Sequence, residues 1–312
     1  MIHLDTCNIS KYISSNIVNA MINGHVSKHG PYVERFENAC KDFLNAKYAC
    51  ATNSGTTALY ACLKHIGVEG KEVIIPALTF VATKNAVLLA GGIPIVVDVD
   101  PDTWCMDVNE VEKVLSYKVA VILPVHLYGN VCDMDKICEL ARRIDAYVVE
   151  DACQSFGSPN ENWGHYQCYS FNGNKTITTG AGGMITSNYL DLTPIRELID
   201  NSTGIMNGRM PNLNAALGLS QMERIDEFIK KKYKIHKWYQ KYLPKDTVFQ
   251  KNNGVPWMTT ITTRDPMPSP IRYIFKPLKM LDNAQRINSF GYCLPSSTLN
   301  TKKDIKEYCD AI

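Results

Sequence analysis

From about residue 47 to residue 190, short apolar runs alternate with stretches whose apolar positions recur at helical spacing. Gly55 to Ile66 predicts a helix: Ser54 can cap it, and Leu59, Leu63 and Ile66 share one face. Thr83 to Leu89, ended by Gly91-Gly92, and Met134 to Ile144 predict two more. Between them, Val73 to Pro76, Ile93 to Val97, Val119 to Val125 and Tyr147 to Glu150 read as strands, followed by Tyr169 to Phe171 and Met184 to Thr186. Continuous apolar strands separated by helices predict an α/β fold with a parallel sheet covered on both faces. Such sheets bind ligands at the carboxyl ends of their strands, so functional residues are expected just after strands.

Beyond residue 200 the pattern changes. Leu213 to Lys230 predicts one long amphipathic helix, with Leu213, Leu217, Met222, Ile225 and Phe228/Ile229 on one face, leading into a smaller domain. Pro256 to Pro277 contains five prolines and is expected to be extended or loop-like. No internal repeat or low-complexity segment interrupts the chain.

Composition narrows the class. The 312 residues suffice for one large domain and a smaller one. A hydrophobic fraction of 45% and a charged fraction of 21% are those of a soluble globular protein, and a net charge of +2 gives no support to nucleic-acid binding. The basic run Lys230 to Lys237 reads as a solvated helix end rather than a polyanion site. Eleven scattered cysteines without a CxxC pair indicate reduced thiols in a cytoplasmic setting, and no Cys/His cluster has metal-ligand spacing. Cys62 and Cys138 fall in apolar helical patterns and read as core. The first residues lack the basic-then-apolar layout of a signal peptide, and Ala86 to Val99 is too short and too broken to span a membrane.

Four segments carry candidate chemistry. Asn53-Ser54-Gly55-Thr56-Thr57 opens a helix, where exposed amides and the helix dipole make a phosphate seat; alone, plain capping explains it as well. Pro76 to Phe80 follows a strand, and Phe80 either stacks on a flat ligand ring or belongs to the core. Val148 to Gln154 runs apolar residues into acids at a strand end. Asp151 there either pairs with a protonated ring nitrogen or caps the next turn. Tyr169 to Gly183 sets Lys175 among small polar residues and glycines; a lysine that forms a Schiff base must be desolvated enough to lose its proton near neutrality. An ordinary loop lysine is the alternative for that segment by itself. In this order the four make a parts list for pyridoxal 5'-phosphate (PLP).

These segments, with Gly24 to Glu37, Pro94 to Asp100, Pro124 to Gly129 and Arg209 to Gly218, resemble the DegT/StrS family of PLP-dependent sugar-nucleotide aminotransferases across residues 24 to 230. The resemblance implies PLP fold type I: a large PLP-binding domain over residues 1–225 with a mostly parallel sheet flanked by helices. A smaller, reduced C-terminal α/β domain is implied over residues 226–312. It implies that Lys175 binds the cofactor as a Schiff base and shuttles the substrate proton. Asp151 would hold the pyridine nitrogen, Gln154 would lie near the ring and Phe80 would stack on it. Gly55, Thr56, Thr57 and Ser170 would bind the phosphate, and Asn207 would reach the phosphate of a neighbouring subunit in a homodimer with shared sites. The substrates implied are glutamate as amino donor and a nucleotide-linked 4-keto-6-deoxy sugar as acceptor, with members acting on perosamine-type or N-acetylhexosamine precursors nearest in motif.

The chain departs from the family pattern at Ala181, where many members carry an acid, and at Gly208, where the family has an aromatic. It is also trimmed between Gln154 and Ser170, between Lys175 and Asn207, and at the C-terminal domain. A trimmed, non-catalytic binding relative is therefore the alternative. Sugar dehydratases of the same fold replace the lysine with histidine, and Lys175 separates this chain from them. Arg209 and Arg272 are candidates for substrate phosphate or carboxylate contacts, or for structural ion pairs.

Overall fold

The computed structural model describes residues 2–9, 15–159, 163–200, 206–263 and 274–312. Helices α1 (Ser15–Ile22) and α2 (Tyr32–Leu44) precede strand β1 (Tyr48–Thr52). Then follow α3 (Gly55–Ile66), β2 (Glu72–Pro76), α4 (Val81–Leu89), β3 (Ile93–Val97), α5 (Val108–Lys113), β4 (Val119–Ile122), α6 (Met134–Arg143), β5 (Tyr147–Asp151), β6 (Tyr166–Ser170) and β7 (Gly183–Ser187). Helices α7 (Thr193–Ile199), α8 (Asn212–Met222) and α9 (Ile225–Tyr242) lead to β8 (Val248–Phe249), β9 (Thr259–Thr262), α10 (Asp282–Phe290), β10 (Gly291–Leu294) and α11 (Lys302–Asp310).

Among the described residues, the central sheet has seven strands in the order β1-β7-β6-β5-β4-β2-β3. The pairs from β3 through β6 are parallel, as the sequence predicts. Strand β7 corrects that expectation, because it runs antiparallel to both β6 and β1. No crossover helix separates β6 from β7; residues 171–182 turn back at the carboxyl end of β6, and an antiparallel return needs no more than that. This turn holds Lys175 at the strand ends. The pairing Ser170↔Gly183 closes its base.

The predicted helix across Leu213 to Lys230 is two helices. Its apolar period survives on both sides, but the backbone leaves the helical region at Arg224 (φ −122°, ψ 11°). The Arg224 guanidinium grips Glu227 through two hydrogen bonds of 2.9 Å, and Glu223 accepts from Asn16 at 3.0 Å. Helix α8 thereby lies on α2, while α9 turns to pack on β9 and α11. The basic run is likewise not a helix end: it lies inside α9, and Lys232 within it is buried. Cys62 is buried, whereas Cys138 is half-buried. Of the proline-rich stretch, 259–262 form β9, and residues 264–273, Arg272 among them, lie outside the described residues.

One core fills the space between the sheet and α3, α4 and α7, and extends to Trp104, Trp257, Ile287 and Cys293. A second joins the opposite face to α2, α8 and the start of α9 through Phe36, Phe156, Phe171 and Phe228. Strands β8, β9 and β10 form a separate antiparallel sheet against α9 and α11.

Candidate active site

The carboxyl ends of β5 and β6, the start of α3 and the turn after β6 enclose a cleft of about 160 Å³. Gly55, Thr56, Phe80, Asp151, Gln154, Ser170 and Lys175 all line it. Seven of the nine residues singled out by sequence are thus brought to one place; Thr57 and Asn207 are not among the lining residues.

Helix α3 begins here because Ser54 caps it, accepting from the Thr57 amide at 3.1 Å. The first-turn amides of Gly55 and Thr56 lie ahead of any intrahelical acceptor and carry the positive end of the helix dipole. Gly55 is required for the close packing underneath: a Cβ there would lie 2.6 Å from Cys153 Sγ and 2.9 Å from Ser170 Cβ. The Thr57 hydroxyl donates to Asn53 Oδ1 at 2.6 Å and bonds Ser54 Oγ at 2.9 Å, so it braces the capped turn. Asn207 is exposed, and its carbonyl accepts from Asn53 Nδ2 at 2.9 Å.

Asp151, the last residue of β5, is buried. Its Oδ2 accepts from Thr83 Oγ1 at 2.8 Å and its Oδ1 from the Cys153 amide at 3.2 Å. Thr83 in turn meets Thr79 Oγ1 at 2.7 Å, which fixes the direction of the hydroxyl relay. Gln154 spends its carbonyl oxygen on the Tyr128 amide at 2.9 Å. Phe80 is half exposed and tilts on Phe275, with ring centroids 5.6 Å apart.

Lys175 Nζ lies 3.9 Å from the centroid of the Trp257 ring, a cation–π contact. Burial lowers its pKa below the ordinary lysine value, while the carboxylates of Asp151 and Asp5 act in the opposite direction. Burial, reinforced by Asp151, pushes the Cys153 thiol well up, so it is a neutral neighbour.

Several wall residues escaped the sequence reading. Trp257 stacks on Tyr128 (6.1 Å, 12°), and Tyr128 stacks on Phe275 (5.4 Å, 10°), making an aromatic wall from three distant parts of the chain. Trp257 Nε1 donates to the Asn174 carbonyl at 2.8 Å. Asn174 Oδ1 is buried with no hydrogen-bond partner beside Lys175. The signal for Asn174 was its place before the lysine; for Trp257 it was a tryptophan in a proline-marked loop, too generic to assign. Arg209 pairs with Asp200 at 3.0 Å, the structural alternative weighed above.

The donor set fits PLP. Helix-start amides and hydroxyls suit a phosphate, the Asp151 carboxylate suits a protonated ring nitrogen, and flat aromatic walls suit a planar ring. A partly desolvated amine suits a carbonyl, and the orphaned Asn174 oxygen leaves an acceptor for a bound group.

Comparison with known proteins points the same way. The sequence model of the DegT/DnrJ/EryC1/StrS aminotransferase family matches residues 8–264. GDP-perosamine synthase of Caulobacter vibrioides is 38% identical over 272 residues, 77% of this chain and 73% of the relative. GDP-perosamine synthase of Escherichia coli O157:H7 is 38% identical over 261 residues, 77% of this chain and 71% of the relative. Among solved structures, NtdA of Bacillus subtilis with bound cofactor PMP superposes with a TM-score of 0.83 at 27% identity, covering 95% of this chain and 81% of that one. Helicobacter pylori PseC, an aminotransferase of pseudoaminic acid biosynthesis, has a TM-score of 0.90 over 99% of this chain and 97% of its own; at 19% identity it speaks for the fold.

Proposed function

Since the chain belongs to the DegT/DnrJ/EryC1/StrS aminotransferase family, we propose that it moves an amino group from glutamate to the keto carbon of a nucleotide-linked 4-keto-6-deoxy sugar. Pyridoxal phosphate is its cofactor; when bound, it supplies a carbonyl that exchanges for an amine and a ring that accepts an electron pair. One observation carries the proposal: Lys175, Asp151 and the amide-bearing start of α3 open into a single cleft.

The residues divide the work. Gly55 and Thr56 at the start of α3, with Ser170, hold the phosphate, and Thr57 keeps that turn in shape. Asp151 keeps a proton on the ring nitrogen, because its carboxylate is buried and aligned by Thr83 and the Cys153 amide. Gln154 and Phe80 frame the ring, the first through its hold on Tyr128. Lys175 takes the substrate proton on Nζ and returns it, a task suited to an amine whose pKa burial has lowered. Trp257, Tyr128 and Phe275 exclude water from that exchange. Asn207 is exposed, which suits service to the phosphate site of a second copy in a homodimer. All eleven cysteines are free thiols, which supports a cytoplasmic enzyme. The perosamine synthases at 38% identity favour a GDP-linked acceptor.

The test is a visible spectrum of the protein with PLP, with glutamate added afterwards and Lys175→Ala in parallel. A cofactor band that glutamate bleaches in the wild type alone is expected. GDP-linked and dTDP-linked 4-keto-6-deoxyhexoses are then supplied, and the true acceptor restores the band. No band at saturating PLP overturns the enzyme reading in favour of a trimmed binding relative.

A further inference from the structure

Resting on the reading of Lys175 as the reacting amine, we infer that Asp5 is a positioning residue of the active site, carried there by the N-terminal segment to fix the wall behind Lys175. Asp5 Oδ2 accepts from Asn174 Nδ2 at 3.0 Å. A carboxylate only accepts, so it dictates which end of the Asn174 amide it meets. The cost is visible at the other end, where Asn174 Oδ1 is buried without a partner. The Asn174 carbonyl holds Trp257 Nε1 at 2.8 Å, and the Trp257 ring faces Lys175 Nζ. A line of directed contacts therefore runs from Asp5 through Asn174 and Trp257 to the lysine.

Both ends of that line are anchored. The Leu4 carbonyl accepts the amides of Ser296 (2.7 Å) and Ser297 (3.1 Å), and the His3 amide donates to Asn300 Oδ1 at 2.8 Å. Lys232 donates to the Trp257 carbonyl at 2.8 Å and to the Ser296 carbonyl at 2.7 Å, so one buried lysine nitrogen ties the tryptophan to the strip that grips the N-terminal segment. Mere structural stapling would need no charge at position 5. Here the carboxylate also favours the charged form of Lys175, together with Asp151 at the end of β5; the Cys153 thiol beside them is neutral, and Lys232 on α9 lies on the far side of Trp257.

The experiment uses the full chain loaded with PLP and compares wild type, Asp5→Asn, Asp5→Glu and Asn174→Ala. The readouts are the pH midpoint of the cofactor band and the single-turnover rate with glutamate. Asp5→Asn removes a negative charge that favours the protonated site, so its midpoint is expected to fall by about half a unit to one unit. Its turnover should slow about three- to tenfold, on the scale of a lost positioning contact, and Asp5→Glu should recover part of the midpoint. Asn174→Ala keeps the charge and breaks the line, so it should slow turnover at a near wild-type midpoint. Asp5→Asn matching wild type in both readouts, or Asn174→Ala matching it in rate, overturns the inference alone. A wild type with no cofactor band overturns the reading of Lys175 and this inference with it.

Discussion

At Gly55 the margin for a phosphate seat is a single hydrogen. A Cβ would press on Cys153 Sγ and Ser170 Cβ at once, and Ser170 belongs to the rigid end of β6. Gly55→Ala is therefore expected to weaken PLP binding about tenfold or more, about 1.4 kcal/mol or above, as measured by titrating the cofactor band. Adding Cys153→Ala should recover part of the loss, since only the Ser170 contact then remains. Lys232 gives a pH prediction. Burial lowers its pKa from 10.5 to about 7, opposed by Asp5. The unfolded chain thus holds more protons between those values, and stability rises with pH across that window, to an extent on the order of a few kcal/mol. Denaturant midpoints at pH 7 and pH 9 should show the rise in wild type and a smaller one in Lys232→Met. Lys175, Asp151 and Gly55, which one cleft brings together, were legible in the sequence because each lies in a local motif. Asp5, Asn174 and Trp257 were not, because their meeting spans 169 and 83 positions of chain. Lys232 was hidden inside a basic run that reads as solvated.

Among the elements, α2 and α8 show how a helix start can be finished by another helix. The residue before α2 is Pro31, which offers no side-chain cap. Asn212, fully buried at the start of α8, supplies it: its Oδ1 accepts the amides of Tyr32 (2.9 Å) and Val33 (3.3 Å). Its Nδ2 donates to the carbonyls of Ser27 (2.9 Å) and Lys28 (3.0 Å). Asn212→Ala leaves these groups unpaired in the interior and should cost about 2–4 kcal/mol, read as a lowered urea midpoint; Asn212→Asp, which keeps only the acceptor half, should also lose stability. The apolar pattern located α3, β2, β3 and β5 to within a residue or two, α3 through its one apolar face and the strands as short continuous apolar runs. It failed across Leu213 to Lys230, where the apolar stripe runs through the break at Arg224 and only the Arg224–Glu227 grip marks the turn. It also missed the direction of β7, since a strand buried on both faces reads the same either way.

For the whole molecule, the question is how the segment bearing Trp257 is held against the central sheet. The seam is polar and reciprocal. Asn130 donates to the Thr103 and Lys251 carbonyls at 2.9 and 2.7 Å and accepts the Asn253 amide at 3.0 Å. Ser158 Oγ donates to the Gly129 carbonyl and accepts the Val255 amide. Gly129 sits at φ 101°, and a Cβ on it would lie 1.8 Å from the Val255 carbonyl oxygen and 2.7 Å from the Trp257 amide. No side-chain rotation relieves a clash with backbone, and the positive φ adds strain for any other residue. Gly129→Ala must push the 252–258 strip outward, and Trp257 moves with it. Trp257 and Met258 belong to the core that α3 covers, so some stability is lost with them, but most of that core is built by the sheet, α3 and α4, and the protein should stay folded while the wall over Lys175 opens. The expected signature is a red-shifted tryptophan fluorescence, a PLP affinity lowered about tenfold or more, and a denaturant midpoint lowered far less than by Asn212→Ala. A Gly129→Ala protein with wild-type fluorescence and cofactor affinity would show that the aromatic wall is set by the Tyr128–Phe275 stack alone. In that case the seam would serve stability and leave the chemistry of Lys175 untouched.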